Sequence, residues 1–246
     1  MLLGTAMWLA CVAQAADGAA DTTPSPAPAD PTASADPAAA PVQWAGRFLA
    51  SGSRKVPLLG TVTYRTESRT LATVEATDNG VVLQQRTCAV VFDKSAGAEL
   101  AMHPRGPEGI PVFSLAFDRS GDGWTADPWP SGWGTDDLDG DGAPGITVNV
   151  SAPLCGGSIM VSSEALTTPS NLTSLGEALE GDVQVWTEQT VLQAKGLCLR
   201  LFSKSSAETL NGHFTYAPVD PQTTCDDVDW NALPDPRAAT ATPDGP

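Results

Sequence analysis

Ile146, Val148 and Val150 alternate with Thr147, Asn149 and Ser151, the two-residue period of a strand with one face in a core and one in water. Val183 and Val185 repeat the pattern against Gln184, Trp186 and Glu188, and Leu197, Leu199 and Leu201 repeat it against Cys198, Arg200 and Phe202. Asp78-Asn79-Gly80 separates two strand-like runs, Thr70–Thr77 and Val81–Phe92. It reads as a hairpin, because Asn-Gly accommodates the positive φ angles of a type I′ turn. Only Ser174–Gly181 hints at helix, of a turn or two. The pattern predicts an all-β fold, an antiparallel barrel or two-sheet sandwich of about 8–10 strands. Closure into a barrel would remove the open edges that antiparallel sheets must otherwise protect.

The strand-like segments recur in order. Gly60–Glu67 parallels Gly157–Glu164, and Val82–Cys88 parallels Val191–Cys198 with one residue inserted. Phe92, Lys94 and Ser95 answer Phe202, Lys204 and Ser205, and the lead-in Trp44–Ser51 answers Gly145–Ala152. The reading is one β domain over residues 42–230, built from two similar halves, about 42–118 and 145–217. A long irregular insertion, residues 94–144, lies between the repeated segments, with Val112–Asp118 its one strand.

Composition adds a location. Leu2, Leu3, Met7, Trp8, Leu9 and Val12 form an apolar run ended by Ala13-Gln14-Ala15, so residues 1–15 read as an export signal too short to span a membrane. Leu9-Ala10-Cys11 also approaches a lipobox, which would make Cys11 a lipid anchor. Residues 16–41, rich in Ala, Pro, Asp, Thr and Ser, read as a disordered tether, and 231–246 as a disordered tail. The expected destination is secreted, periplasmic or tethered at the cell surface.

Cys88, Cys155, Cys198 and Cys225 remain after the signal, an even set that implies two disulfides in an exported chain. Repeat symmetry favours Cys88–Cys155 with Cys198–Cys225, and it also allows the crossed set, Cys88–Cys225 with Cys155–Cys198. Zinc is disfavoured, since no C-x-x-C pair exists and His103 and His213 stand alone. The formal charge of −16 argues against nucleic acid and against an anionic membrane surface, and it suits a divalent cation or a cationic partner.

Candidate chemistry concentrates in Thr135–Val148. Asp137, Asp139 and Asp141 fall at alternate positions and Gly142 follows where a metal loop must turn sharply. The stretch resembles the D-x-D-x-D-G calcium loops of extracellular proteins over about a dozen residues. Val148 occupies the twelfth position, where an EF-hand needs a bidentate acid, so the helix–loop–helix form is excluded. The resemblance implies calcium held by Asp137, Asp139 and Asp141 with the Ala143 carbonyl, and a further carboxylate from Asp118, Asp122, Asp127 or Asp136.

Trp124, Trp129 and Trp133 in the insertion are candidate ligand contacts or packing for the loop above them. No G-x-S-x-G, H-E-x-x-H, phosphate loop or dinucleotide fingerprint occurs, and catalysis rests on at most Glu67 and Glu164, matched between the halves. The expected function is an exported, calcium-stabilised β-domain that binds an unknown surface or extracellular ligand. The alternatives are an envelope or extracellular hydrolase acting on glycans, and a structural envelope protein without a small ligand.

Overall fold

The computed structural model describes residues 42–56, 60–93, 98–121, 123–152, 155–175 and 177–236. The segments expected as export signal and tether, with Cys11 and Asp122, lie outside them. Among the described residues, eleven strands make up one antiparallel sheet: β1 (Val42–Val56), β2 (Gly60–Ala76), β3 (Gly80–Phe92), β4 (Glu99–Met102), β5 (Phe113–Ser120), β6 (Gly123–Thr125), β7 (Trp129–Trp133), β8 (Ile146–Ser151), β9 (Gly157–Leu175), β10 (Ala178–Lys195) and β11 (Ser206–Val219). Two short helices, α1 (Gly106–Gly109) and α2 (Leu197–Phe202), are the helical elements among the described residues. Neither is long and apolar enough to cross a membrane.

The order β4-β8-β9-β10-β11-β1-β2-β3-β5-β6 places the first and last strands side by side in the middle of the sheet. β7 pairs with the stretch of β9 beyond β8, so β9 carries two partners along one edge. The sheet curls into a half-barrel, bringing β6 back to β9, where the Trp124 indole N–H donates to Ser174 Oγ at 2.6 Å. The inner face holds the core, with Leu83, Leu115, Phe117, Trp129, Val183, Phe214 and Tyr216 all buried. Phe214 packs its ring 5.3 Å from Phe48, 6.0 Å from Phe117 and 5.8 Å from Tyr216. The fully buried Tyr216 hydroxyl donates to the Gln85 side-chain oxygen, which satisfies both polar groups inside an apolar core.

The all-β expectation holds, and several local readings change. The hairpin forms between β2 and β3, but neither Asn79 nor Gly80 has a positive φ. Gly80 is required for space instead: a Cβ there would lie 1.9 Å from the Phe117 carbonyl of β5. Of residues 174–181, expected as a helical turn, 174–175 end β9 and 178–181 begin β10, so the described part is the end of a hairpin. Leu197–Phe202, expected as a strand, is α2, with Leu199 buried and Leu197 and Leu201 exposed on its outer side.

The disulfides form the crossed set, Cys88–Cys225 and Cys155–Cys198, which overturns the favoured pairing. The ladder explains the second bridge. β9 and β10 pair Ser158 with Lys195, and the two cysteines each lie three residues beyond that pair. Cys88 is the extra residue of a bulge in β3, since Arg69 faces Ala89 while Thr70 faces Thr87. Its partner Cys225 belongs to the segment after β11, which folds back over the outer face of the sheet. There Val228, Trp230 and Leu233 cover Ala45 and Leu71, so part of the stretch expected as a disordered tail packs on the sheet. Two disulfides fit an exported protein.

Beside this cover lies an ionic clamp. The Nε groups of Arg47 and Arg69 each donate to Glu67 Oε1 at 3.0 Å, and the Arg69 guanidinium sits 5.7 Å from the Trp230 ring centre. Burial opposes ionisation of Glu67, but the hydrogen bonds and charges of the two arginines outweigh it and lower its pKa. A carboxylate depressed in the folded state adds stability above its unfolded pKa and loses it as pH falls through the folded value. Glu67→Gln is therefore expected to cost about 2 kcal/mol at neutral pH. In urea unfolding the difference from wild type should shrink as pH falls through the carboxylate range. A difference independent of pH would refute the clamp.

Candidate metal centre

The acidic loop is the connection from β7 to β8, and its two ends are tied together. Leu138 N donates to Gly145 O at 3.2 Å, Gly145 N donates to Asp136 O at 2.9 Å, and Asp137 and Gly145 form an isolated bridge. Within the circle so closed, Asp137 Oδ1 accepts from Asp141 N at 3.1 Å and Oδ2 from Gly142 N at 2.9 Å. Asp141 Oδ1 accepts from Ala143 N, and its Oδ2 from the Thr147 hydroxyl, both at 2.8 Å. Gly142 has φ +81°, a conformation that a residue with a Cβ rarely adopts, and it supplies the sharp turn.

Asp139 is different. It is 1% exposed, its Oδ2 accepts from Thr147 N at 2.7 Å, and its Oδ1 is buried with no hydrogen-bond partner. An orphaned, fully buried carboxylate oxygen is costly unless something positive meets it. One ligand oxygen from each of Asp137, Asp139 and Asp141 lies within 4.8 Å of the others, so the three aspartates could hold a metal ion. The Thr147 hydroxyl, helped by Ala143 N–H and by the charges of Lys195 and His103, holds the Asp141 carboxyl below its ordinary pKa despite some desolvation. That keeps it in the form a metal requires.

Of the further carboxylates expected, none joins the group among the described residues. Asp136 is exposed and contributes its carbonyl to Gly145, Asp118 pairs with Gly80 and Thr125 on β5, and Asp127 is exposed ahead of β7. Two other groups arrive that the spacing did not announce. The Arg105 guanidinium donates to Gly140 O at 2.8 Å. His103 Nδ1 lies 3.8 Å from Asp139 Oδ2 and is itself buried without a hydrogen bond. The β4–β8 ladder delivers His103: Met102 faces Val148, and His103 N continues the pairing by donating to Thr147 O at 2.8 Å. No short-range pattern in the sequence carries that register.

The tryptophans of the insertion pack. Trp129 is 7% exposed and meets Phe117 edge-on. Trp124 lies beneath the Arg119 guanidinium, 5.0 Å from its ring centre, and the Trp133 indole N–H donates to Val161 O at 2.8 Å. Glu67 and Glu164 are not brought together, because β10, β11 and β1 separate β2 from β9. Glu67 is engaged by two arginines, while Glu164 lines a shallow pocket with Trp133 and Phe113. No family model, curated protein or solved structure matches the chain.

Proposed function

We propose that the protein is an exported β-domain whose β7–β8 connection is fixed by calcium, and that it serves as a binding or cell-surface module. The observation that carries the metal is the buried, unpartnered Oδ1 of Asp139 between two further carboxylates. Hard carboxylate and carbonyl oxygens in irregular geometry suit calcium better than magnesium, which demands near-ideal octahedral geometry. Asp137, Asp139 and Asp141 would supply side-chain oxygens and Ala143 a main-chain one, with water completing the shell. Bound calcium would offset most of the charge of three crowded carboxylates and pin the end of the insertion to β8. The role is structural first, since the loop ends are tied to each other through Leu138, Asp136 and Gly145.

The test is calorimetric titration of metal-stripped protein with calcium, together with thermal unfolding in calcium and in chelator. At a hundredfold excess over Kd, a bound ion adds about 2.7 kcal/mol. For a domain of this size that raises Tm by about 5–10 °C. Asp139→Asn should abolish the calcium-dependent shift while the protein remains folded in chelator. Titration without heat, combined with melting indifferent to chelator, would discard the metal. Tighter binding of manganese or zinc than of calcium would move the assignment to an ion that uses the His103 nitrogen.

A further inference from the structure

The outer face of the half-barrel holds a second group of side chains, unconnected with the acidic loop. On β10, Val183 and Val185 pack inward, so Asp182, Gln184 and Trp186 share the outer face. Across the ladder to β11, Asp182 faces His213 and Gln184 faces Asn211. These residues, with Arg65 of β2, line a pocket of about 520 Å³. Trp186, one outward position beyond Gln184, is 42% exposed, and Leu166 directly opposite it on β9 is 43% exposed.

The pocket is built. His213 Nδ1 lies in close contact with one Asp182 carboxylate oxygen, and the other accepts from Asn171 Nδ2 at 2.6 Å. Asn171 is the one non-glycine residue with positive φ among those described, at 53°, in the bulge where β9 slips against β10. Strain of this kind persists where surrounding structure holds a side chain in place. With Nδ1 engaged by a carboxylate, the ring orientation of His213 is fixed and Nε2 is the nitrogen left for a ligand.

We propose that this face binds a neutral, hydroxyl-rich glycan. Trp186 offers a flat aromatic surface to the apolar face of a sugar ring, and the Gln184 and Asn211 amides, each both donor and acceptor, match paired hydroxyls. From Trp186 to Asp182 the strand advances about 14 Å, the reach of a short oligosaccharide. Within the pocket Asp182 and Arg65 carry opposite charges, so its lining offers no net charge to an ionic ligand, while Glu188 and Glu164 border the Trp186 end of the face. A peptide added as an extra strand is excluded, since β10 and β11 each have partners on both sides. No residue of the acidic loop takes part, so this proposal goes beyond the calcium reading.

The experiment is calorimetric titration of the full chain, in calcium, with cellohexaose, xylohexaose, mannohexaose and chitohexaose. Saturable binding of at least one is expected, weakened at least about tenfold by Trp186→Ala and by Gln184→Ala with Asn211→Ala, and restored in good part by Trp186→Tyr. Val112→Thr, an exposed change elsewhere, should leave it unaltered. If Trp186→Ala does not fold, the Gln184/Asn211 double variant decides. Absence of binding to all four sugars overturns the proposal, as does wild-type affinity in variants that fold, which would point to another surface. Repeating the titration in chelator separates the two readings. Trp186-dependent sugar binding in a protein that takes up no calcium would discard only the metal, whereas calcium-linked melting without sugar binding would discard only this face.

Discussion

Phe214→Ala is expected to cost about 3–5 kcal/mol, a large share of the stability of an ordinary domain. Phe214 is 1% exposed and touches the rings of Phe48, Phe117 and Tyr216, which come from β1, β5 and β11. β5 lies near one end of the sheet path, while β11 and β1 lie at its middle. The ring therefore links regions of the half-barrel that share no ladder, and curvature rather than hydrogen bonding brings them together. Removing it leaves a cavity that paired strands cannot collapse to fill. Urea unfolding at fixed calcium should show a much lower midpoint with a similar slope. Trp186→Ala, at an exposed site, should lower stability in the same measurement by less than about 1 kcal/mol. Equal losses at the two positions would contradict the assignment of inner and outer faces.

The second large effect concerns the crosslinks. Cys88–Cys225 closes 137 residues of chain and Cys155–Cys198 closes 43. If disulfides stabilise by restricting the unfolded chain, their removal should cost about 5 and about 4 kcal/mol respectively. Cys88→Ala with Cys225→Ala should also loosen the cover over Ala45 and Leu71, because that bridge anchors the segment carrying Val228 and Trp230. Faster hydrogen exchange is expected there, confined to β1 and β2. The Cys155→Ala/Cys198→Ala protein should lose protection at α2 and the adjoining ends of β9 and β10 instead. Peptide mapping without reduction should return these two pairs. Recovery of Cys88–Cys155, or a larger loss from the shorter loop, would overturn the connectivity.

What could be read from the sequence, and what could not, divides by the range of the interaction. Alternation at Ile146–Val150 and at Val183–Val185 became β8 and the middle of β10, because burial of one face is a local property. Leu197–Leu201 shows the weakness of the same rule over a short run. Three leucines at spacing two satisfy a strand, yet Leu197 and Leu201 are also four apart, and α2 buries only Leu199. The aspartates of the acidic loop cluster because they are close in sequence. His103 reaches them through the β4–β8 register, and His213 reaches Asp182 through the β10–β11 register. Both histidines looked isolated for that reason. The disulfide pairing failed on the same ground, since repeat symmetry compares sequences whereas Cys155 and Cys198 answer to the ladder that ends at Ser158 and Lys195.

The neighbouring positions of β1 and β11 have a consequence in time. β1 is the first strand of the sheet in chain order, and its partner across Gln43–Ser51 is the last. Hairpins such as β2–β3 and β9–β10 can zip as soon as their own residues emerge, but the seam joining them must wait for Ser206–Val219. Contacts so distant in sequence fold slowly, because chain closure must be achieved before any of them is gained. Until that seam forms, each half exposes an open strand edge, the state most prone to pairing with the wrong chain. Cys88–Cys225 ties the segment that follows β11 to β3, so once oxidised it holds the two sides of that seam in one chain loop.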